Sequence, residues 1–147
     1  MRDKTLTDKN ATDLANLQAP TLADFEMLAG EAYERLPEDF RRLCDGVVIK
    51  IDDFPDDDTL REMDCETPFD LLGLFRGIGL AQGGGMMQTG QFPNMVWLYR
   101  RPILDYWAEH EESLGHIITH VLVHEIGHHF GLSDDDMEAI EAATGEG

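Results

Sequence analysis

Apolar side chains recur three and four positions apart at Leu22, Phe25, Leu28, Ala32 and Leu36, with Met27 beside them, a spacing that gathers them on one helical face. Thr21 can cap that helix and Pro37 stops it, so it is predicted over 22–36. The period then changes. VVIKI at 47–51 is a β-branched run after Gly46 and predicts a strand, and the DDFPDDDTL that follows reads as an exposed turn. LLGLF at 71–75 predicts a second, buried strand, and NMVWLYR at 94–100, β-branched and aromatic, predicts the last. Between them, RGIGLAQGGGMMQTG is glycine-dense and reads as a loop or hairpin. Pro102 opens a short helical stretch toward Ala108.

The longest periodic segment places Leu114, Ile117, Ile118, Val121 and Leu122 on one stripe, predicting a helix over 111–130 that Gly131 ends. DDDMEAIEAA predicts a closing helix, for which Ser133 and Asp134 are both suitable N-caps. Residues 1–20 mix Thr, Asp, Asn and Lys without sustained periodicity and end at Pro20, so they read as a flexible N-terminal arm. Residues 21–147 are then one domain, in keeping with a chain of 147 residues.

Charge narrows the partners. Thirty acidic against 11 basic side chains give a net charge of −19, which disfavours nucleic acid because phosphate binding relies on Lys and Arg; an RNA-cleaving role falls with it. The same field holds divalent cations near the surface and repels acidic substrates. The DDD run at 56–58 lacks the alternating ligands of an EF-hand, and the glycines at 83–85 lack the Lys of a phosphate loop. Cys44 and Cys65 form no CxxC pair or Cys/His cluster and are expected to be buried free thiols. No apolar run approaches the roughly 20 residues that span a bilayer, and the amino terminus has no secretory stretch, so no membrane partner and a cytoplasmic location are expected.

The chemistry lies in the long helix. Its apolar stripe runs into Glu125, with His128 on the same face and His124 one turn before His128. Burying a carboxylate and two imidazoles is costly unless something compensates them, and one divalent cation does so. Two imidazoles four residues apart can converge on one zinc ion, and the Glu between them can reach an activated water without ligating the ion. In a chain with six His and 13 Glu, HExxH is expected by chance about 0.02 times; requiring Gly131 and Asp134 as well lowers this to about 0.0002, so coincidence is set aside.

A catalytic zinc needs a third protein ligand. Asp134 is the first choice, because Gly131 can turn the chain and bring that carboxylate back to the ion; its other role is to cap the closing helix, and Glu138 and Glu141 are the reserves. His129 is expected to pack in the core, while His110, His116 and His120 are expected to fall off the metal face. Tyr99 is either an oxyanion donor or a packing residue.

HEIGHHFGLSD resembles the HExxHxxGxxD signature of the Asp-type zincins, and the chain over about 21–142, including LLGLFRG, WLYRRPIL and VLVHEIGHHFGLSDDDM, is similar to the short bacterial minimal zincins of the zincin-like metallopeptidase family. The resemblance implies an α+β zincin-like domain in which His124, His128 and Asp134 bind one zinc ion and Glu125 is the general base. It also implies a peptide or protein substrate, which in many zincins lies along an edge strand; chain order suggests 94–100, with Arg100 and Arg101 as anchors for a substrate carboxylate. Zincins with this motif commonly place a methionine turn well downstream beneath the metal, whereas here 13 residues follow Asp134 and the sole methionine among them is Met137. That departure leaves a second reading open, a metal-binding scaffold or interaction protein without turnover, whose ion would be closed by four protein ligands.

Overall fold

The computed structural model describes residues 10–44, 46–77 and 94–144. Helix α1 (Ala11–Ala15) forms within the expected arm, capped by the Asn10 side chain but burying none of its own residues, so it is a local turn without packing. Helix α2 (Leu22–Arg35) follows its predicted span, and its start is fixed by a capping box: the Thr21 hydroxyl accepts from Asp24 N–H at 3.0 Å and the Asp24 carboxylate from Thr21 N–H at 2.9 Å. Helix α3 (Glu38–Leu43) and strand β1 (Val48–Asp52) come next. The acidic run expected as a turn holds helix α4 (Asp57–Glu62), since Asp56 caps it through Thr59 N–H at 2.8 Å and Asp57 and Asp58 favour the positive end of its dipole. A 3₁₀ turn (Pro68–Asp70) leads into β2 (Gly73–Arg76). After it come β3 (Met95–Tyr99) and helices α5 (Arg100–Glu109), α6 (Leu114–His129) and α7 (Asp134–Ala143). The glycines at 83–85 lie outside the described residues.

The three strands are ordered β1-β3-β2, with β1 parallel and β2 antiparallel to β3. The expected substrate edge at 94–100 is therefore the central strand. Its side chains explain the placement: Val96 and Leu98 are fully buried on one face and Tyr99 is buried on the other, and a strand covered on both faces belongs mid-sheet. Arg100 and Arg101 are likewise not free anchors. Arg100 pairs with Asp53 at 3.0 Å and donates to the Pro20 carbonyl at 2.6 Å, and Arg101 stacks over the Phe54 ring.

Among the described residues, the edge strand beside α6 is β2. Tyr99 N–H donates to the Leu72 carbonyl, so with Leu74 facing Trp97 and Arg76 facing Met95 the bonded pairs are the even positions, and the N–H and C=O groups of Gly73 and Phe75 face away from β3. Gly73 allows the strand to lie on α6, because a Cβ there would stand 2.7 Å from Val121 Cγ1 and 2.9 Å from the Trp97 carbonyl oxygen.

Helix α6 stands between two apolar clusters. Its predicted stripe, Ile117, Ile118, Val121 and Leu122, packs with Phe25 and Ala29 of α2 and with Ile51, Val96 and Leu98 of the sheet. Val123 and Ile126, on another face, pack with Leu36, Phe40, Cys44 and Met137. Cys44 is buried and Cys65 half-buried, neither in a disulfide. No described helix is long and apolar enough to cross a membrane.

Candidate active site

The motif occupies the last turns of α6, and the corner after it sets where α7 falls. Gly131 adopts φ +78°, the left-handed conformation that glycine takes without strain, while Gly131 N–H bonds the His128 carbonyl at 3.1 Å and Leu132 N–H the Gly127 carbonyl at 2.9 Å. Ser133 then caps α7: its hydroxyl accepts from Asp136 N–H at 3.0 Å and Asp136 answers to Ser133 N–H at 3.2 Å. Of the two suitable caps, Ser133 takes the role, and Asp134 stands as the exposed first residue of α7. Asp134, Glu138 and Glu141, spaced along one face of α7, oppose His120 and His124 of α6 across a cleft of about 370 Å³.

His124 Nε2 lies 3.0 Å from Glu141 Oε2, and His120 Nδ1 lies 3.1 Å from the same carboxylate. The two rings are 3.9 Å apart and tilted by 31°, whereas His128 meets His124 nearly edge-on with centroids 5.6 Å apart. Burial, and next the neighbouring His120, hold the His124 imidazole below its usual pKa and favour the neutral form that ligates metals. The expectation that the ionisable groups sit on the buried face holds for Glu125 and His124, which are half-buried, and not for His128, which is exposed.

Glu125 points to the other side, toward the sheet. Its Cγ passes close to Gly73, and the Phe75 N–H, one of the outward-facing groups of β2, is near enough to its carboxylate to favour the charged form. Burial raises its pKa, opposed by His128 and by the Phe75 amide. A carboxylate with raised proton affinity, set beside the edge strand of the described sheet and the motif histidines, is suited to take a proton from water.

Among the described residues, His120, His124 and Glu141 bring three donor atoms within 4.8 Å of one another. His124, His128 and Asp134 share the corner between α6 and α7 but are not gathered so tightly. His120, expected on the surface and off the metal face, is exposed but stands at the cleft beside His124. It lies four residues before His124, as His124 lies four before His128, and that repeat is the signal by which the sequence carried it. The part of Glu141 needed the packing of α7 on α6. His129 is also displaced from expectation, since it is exposed rather than in the core, with its ring 4.2 Å from Phe75 and against Gly77. His110 stacks on Tyr106 and His116 faces Glu112, both away from the cleft. Tyr99 is buried, and burial followed by Asp52 pushes its phenol up to about 12.

Met137 supplies support from below. It is fully buried, and a Cβ on Gly127 would come within 2.5 Å of its sulfur, so the methionine fills the space directly beneath the HEIGH turn from within α7.

The residues fit a zinc ion. Nitrogen and carboxylate donors at 3.0 to 3.1 Å approach the roughly 3.3 Å that separates neighbouring ligands of a tetrahedral zinc, one imidazole is biased to its neutral form, and carboxylates line the rest of the cleft. No curated protein is found to match the chain. Residues 44–144, more than half of its length and the part that carries the sheet, the HEIGH helix and α7, match the profile of the zincin-like metallopeptidase family, and the chain belongs to that family.

Proposed function

We propose that the chain is a zinc-dependent peptidase that binds its substrate along β2 and uses Glu125 as general base. The observation that carries this reading is the position of Glu125, between the motif histidines and the outward N–H of Phe75. His124 and His128 with Asp134 would hold one zinc ion, with Glu138 and Glu141 as the other carboxylates in reach of the same corner. When bound, zinc supplies Lewis-acid polarisation of the scissile carbonyl and acidifies water toward neutral pH.

The remaining steps belong to the chain. The outward N–H and C=O groups of Gly73 and Phe75 hold the peptide as an added strand, which replaces 94–100 as the docking edge. A peptide carbonyl accepts the Phe75 N–H, and the Glu125 carboxylate beside it takes the proton of the attacking water. The same carboxyl then delivers that proton to the leaving nitrogen.

Metal removal tests the reading. Peptide-library hydrolysis by the purified chain should stop after dialysis against a zinc chelator and return with one equivalent of zinc. Hydrolysis indifferent to the chelator, or no zinc retained after loading, would defeat it. A second reading, a metal-binding scaffold without turnover, draws support from His120, which offers a further nitrogen beside His124 and Glu141. Zinc bound at one equivalent with no library cleavage would favour it.

Asp134 has a separate test, because capping belongs to Ser133. Asp134→Ala should change the stability of the metal-free protein by no more than about 0.5 kcal/mol, while Ser133→Ala costs about 1 kcal/mol. As a ligand, Asp134 should lower zinc affinity at least about tenfold when replaced by Asn. Unchanged affinity in calorimetric titration would pass the role to Glu138 or Glu141.

A further inference from the structure

We propose that His120, His124 and Glu141 form a second position for a divalent transition-metal ion, one helical turn before the His124–His128 pair and sharing His124 with it. The inference rests on the peptidase reading only in taking His124 and His128 as the pair that holds the catalytic ion. Its own ground is geometric. Three donors of the right chemistry, two imidazole nitrogens and a carboxylate oxygen, already stand within 4.8 Å of one another, on two helices and at the wall of an open cleft.

The arrangement calls for a cation. The Glu141 side chain is only 14% exposed yet carries its charge between two imidazoles, in a chain whose net charge is −19. Asp134 and Glu138 line the same cleft and add to its negative potential, so a divalent ion gains there from every side chain in view. Imidazole nitrogen with carboxylate suits zinc, cobalt or nickel and not the all-oxygen preference of calcium or magnesium. The exposed side of His120 and the open cleft leave coordination positions to solvent.

His124 makes the two positions exclusive. Its Nε2 offers one lone pair, and that atom faces Glu141, so an ion held with His120 and Glu141 withdraws His124 from His128. The chain then binds one ion distributed between an outer, cleft-facing position and the inner motif, with His124 as the shared ligand. Metal enters through the acidic cleft and moves one turn along α6 to reach Glu125.

Cobalt and zinc titrations followed by visible absorption and calorimetry test this without reference to activity. His128→Ala, which removes the inner pair, should still bind one equivalent of either metal. Adding His120→Ala or Glu141→Gln to that variant should weaken binding at least about tenfold. His120 is exposed, so its substitution keeps the test open should Glu141→Gln disturb the packing of α7. No binding by His128→Ala, or equal binding by the single and double variants, would overturn the proposal. Either of those results leaves the peptidase reading standing, whereas a wild-type chain that binds one ion and cleaves no peptide counts against the peptidase reading alone.

Discussion

Replacing Glu125 by Gln is expected to lower peptide hydrolysis by roughly 10²- to 10⁴-fold, the contribution of a positioned general base, with zinc stoichiometry unchanged. The substitution keeps size and shape, and β2 is held by its ladder with β3, so the edge strand stays where it is. It removes only the capacity to hold a proton. Because Glu125 is not among the three clustered donors and faces the sheet instead of the cleft, metal loading should not follow activity downward. Equal turnover by wild type and variant across a peptide library would sink the assignment of the base.

The same variant has a pH signature in the metal-free protein. Burial, the largest influence on Glu125, raises its pKa in the folded state. Such a group contributes stability that is present below the unfolded carboxyl value of about 4.3 and is lost as pH rises through the folded value. At neutral pH the wild type therefore carries the cost of a half-buried charge and Gln does not. Metal-free Glu125→Gln should melt higher than wild type at pH 7, with the gap closing as pH falls through the carboxylate range. A lower melting temperature at pH 7 would show that the carboxylate is not penalised by burial.

The motif helix was legible because its information is local. The stripe from Ile117 to Leu122 buries as the period demands, and Gly131 ends the helix in the one conformation that explains a glycine there. The order of the strands was not legible, since β1 pairs in parallel with β3 across more than 40 intervening residues and nothing in either segment names its neighbour. That is why 94–100 was assigned to the edge. The candidate site divides along the same line. Glu125 and the histidines four residues apart follow from helical spacing, whereas the approach of Glu141 to His124 depends on how the corner at Gly131 lays α7 across α6. Asp134 was ambiguous for a chemical reason: Ser and Asp cap equally well, and the capping box with Asp136 decided for Ser133.

Met137→Ala should cost about 2 to 5 kcal/mol, the range for deleting a fully buried large side chain, and should weaken zinc binding with it. Within α7, Met137 is the one fully buried residue, and it joins the cluster of Leu36, Phe40, Cys44, Val123 and Ile126. Asp134, Glu138 and Glu141 all ride on that helix, so every carboxylate facing the histidines is held in place through this contact. Emptying the space beneath Gly127 also removes the floor of the HEIGH turn. Met137→Leu nearly conserves the volume and should cost less than about 1.5 kcal/mol, restoring most of both properties. Urea unfolding of the metal-free proteins gives the first quantity and zinc titration the second. If Met137→Ala lost stability but bound zinc as wild type does, the carboxylates of α7 would not be metal ligands, and the ion would have to be held by α6 alone.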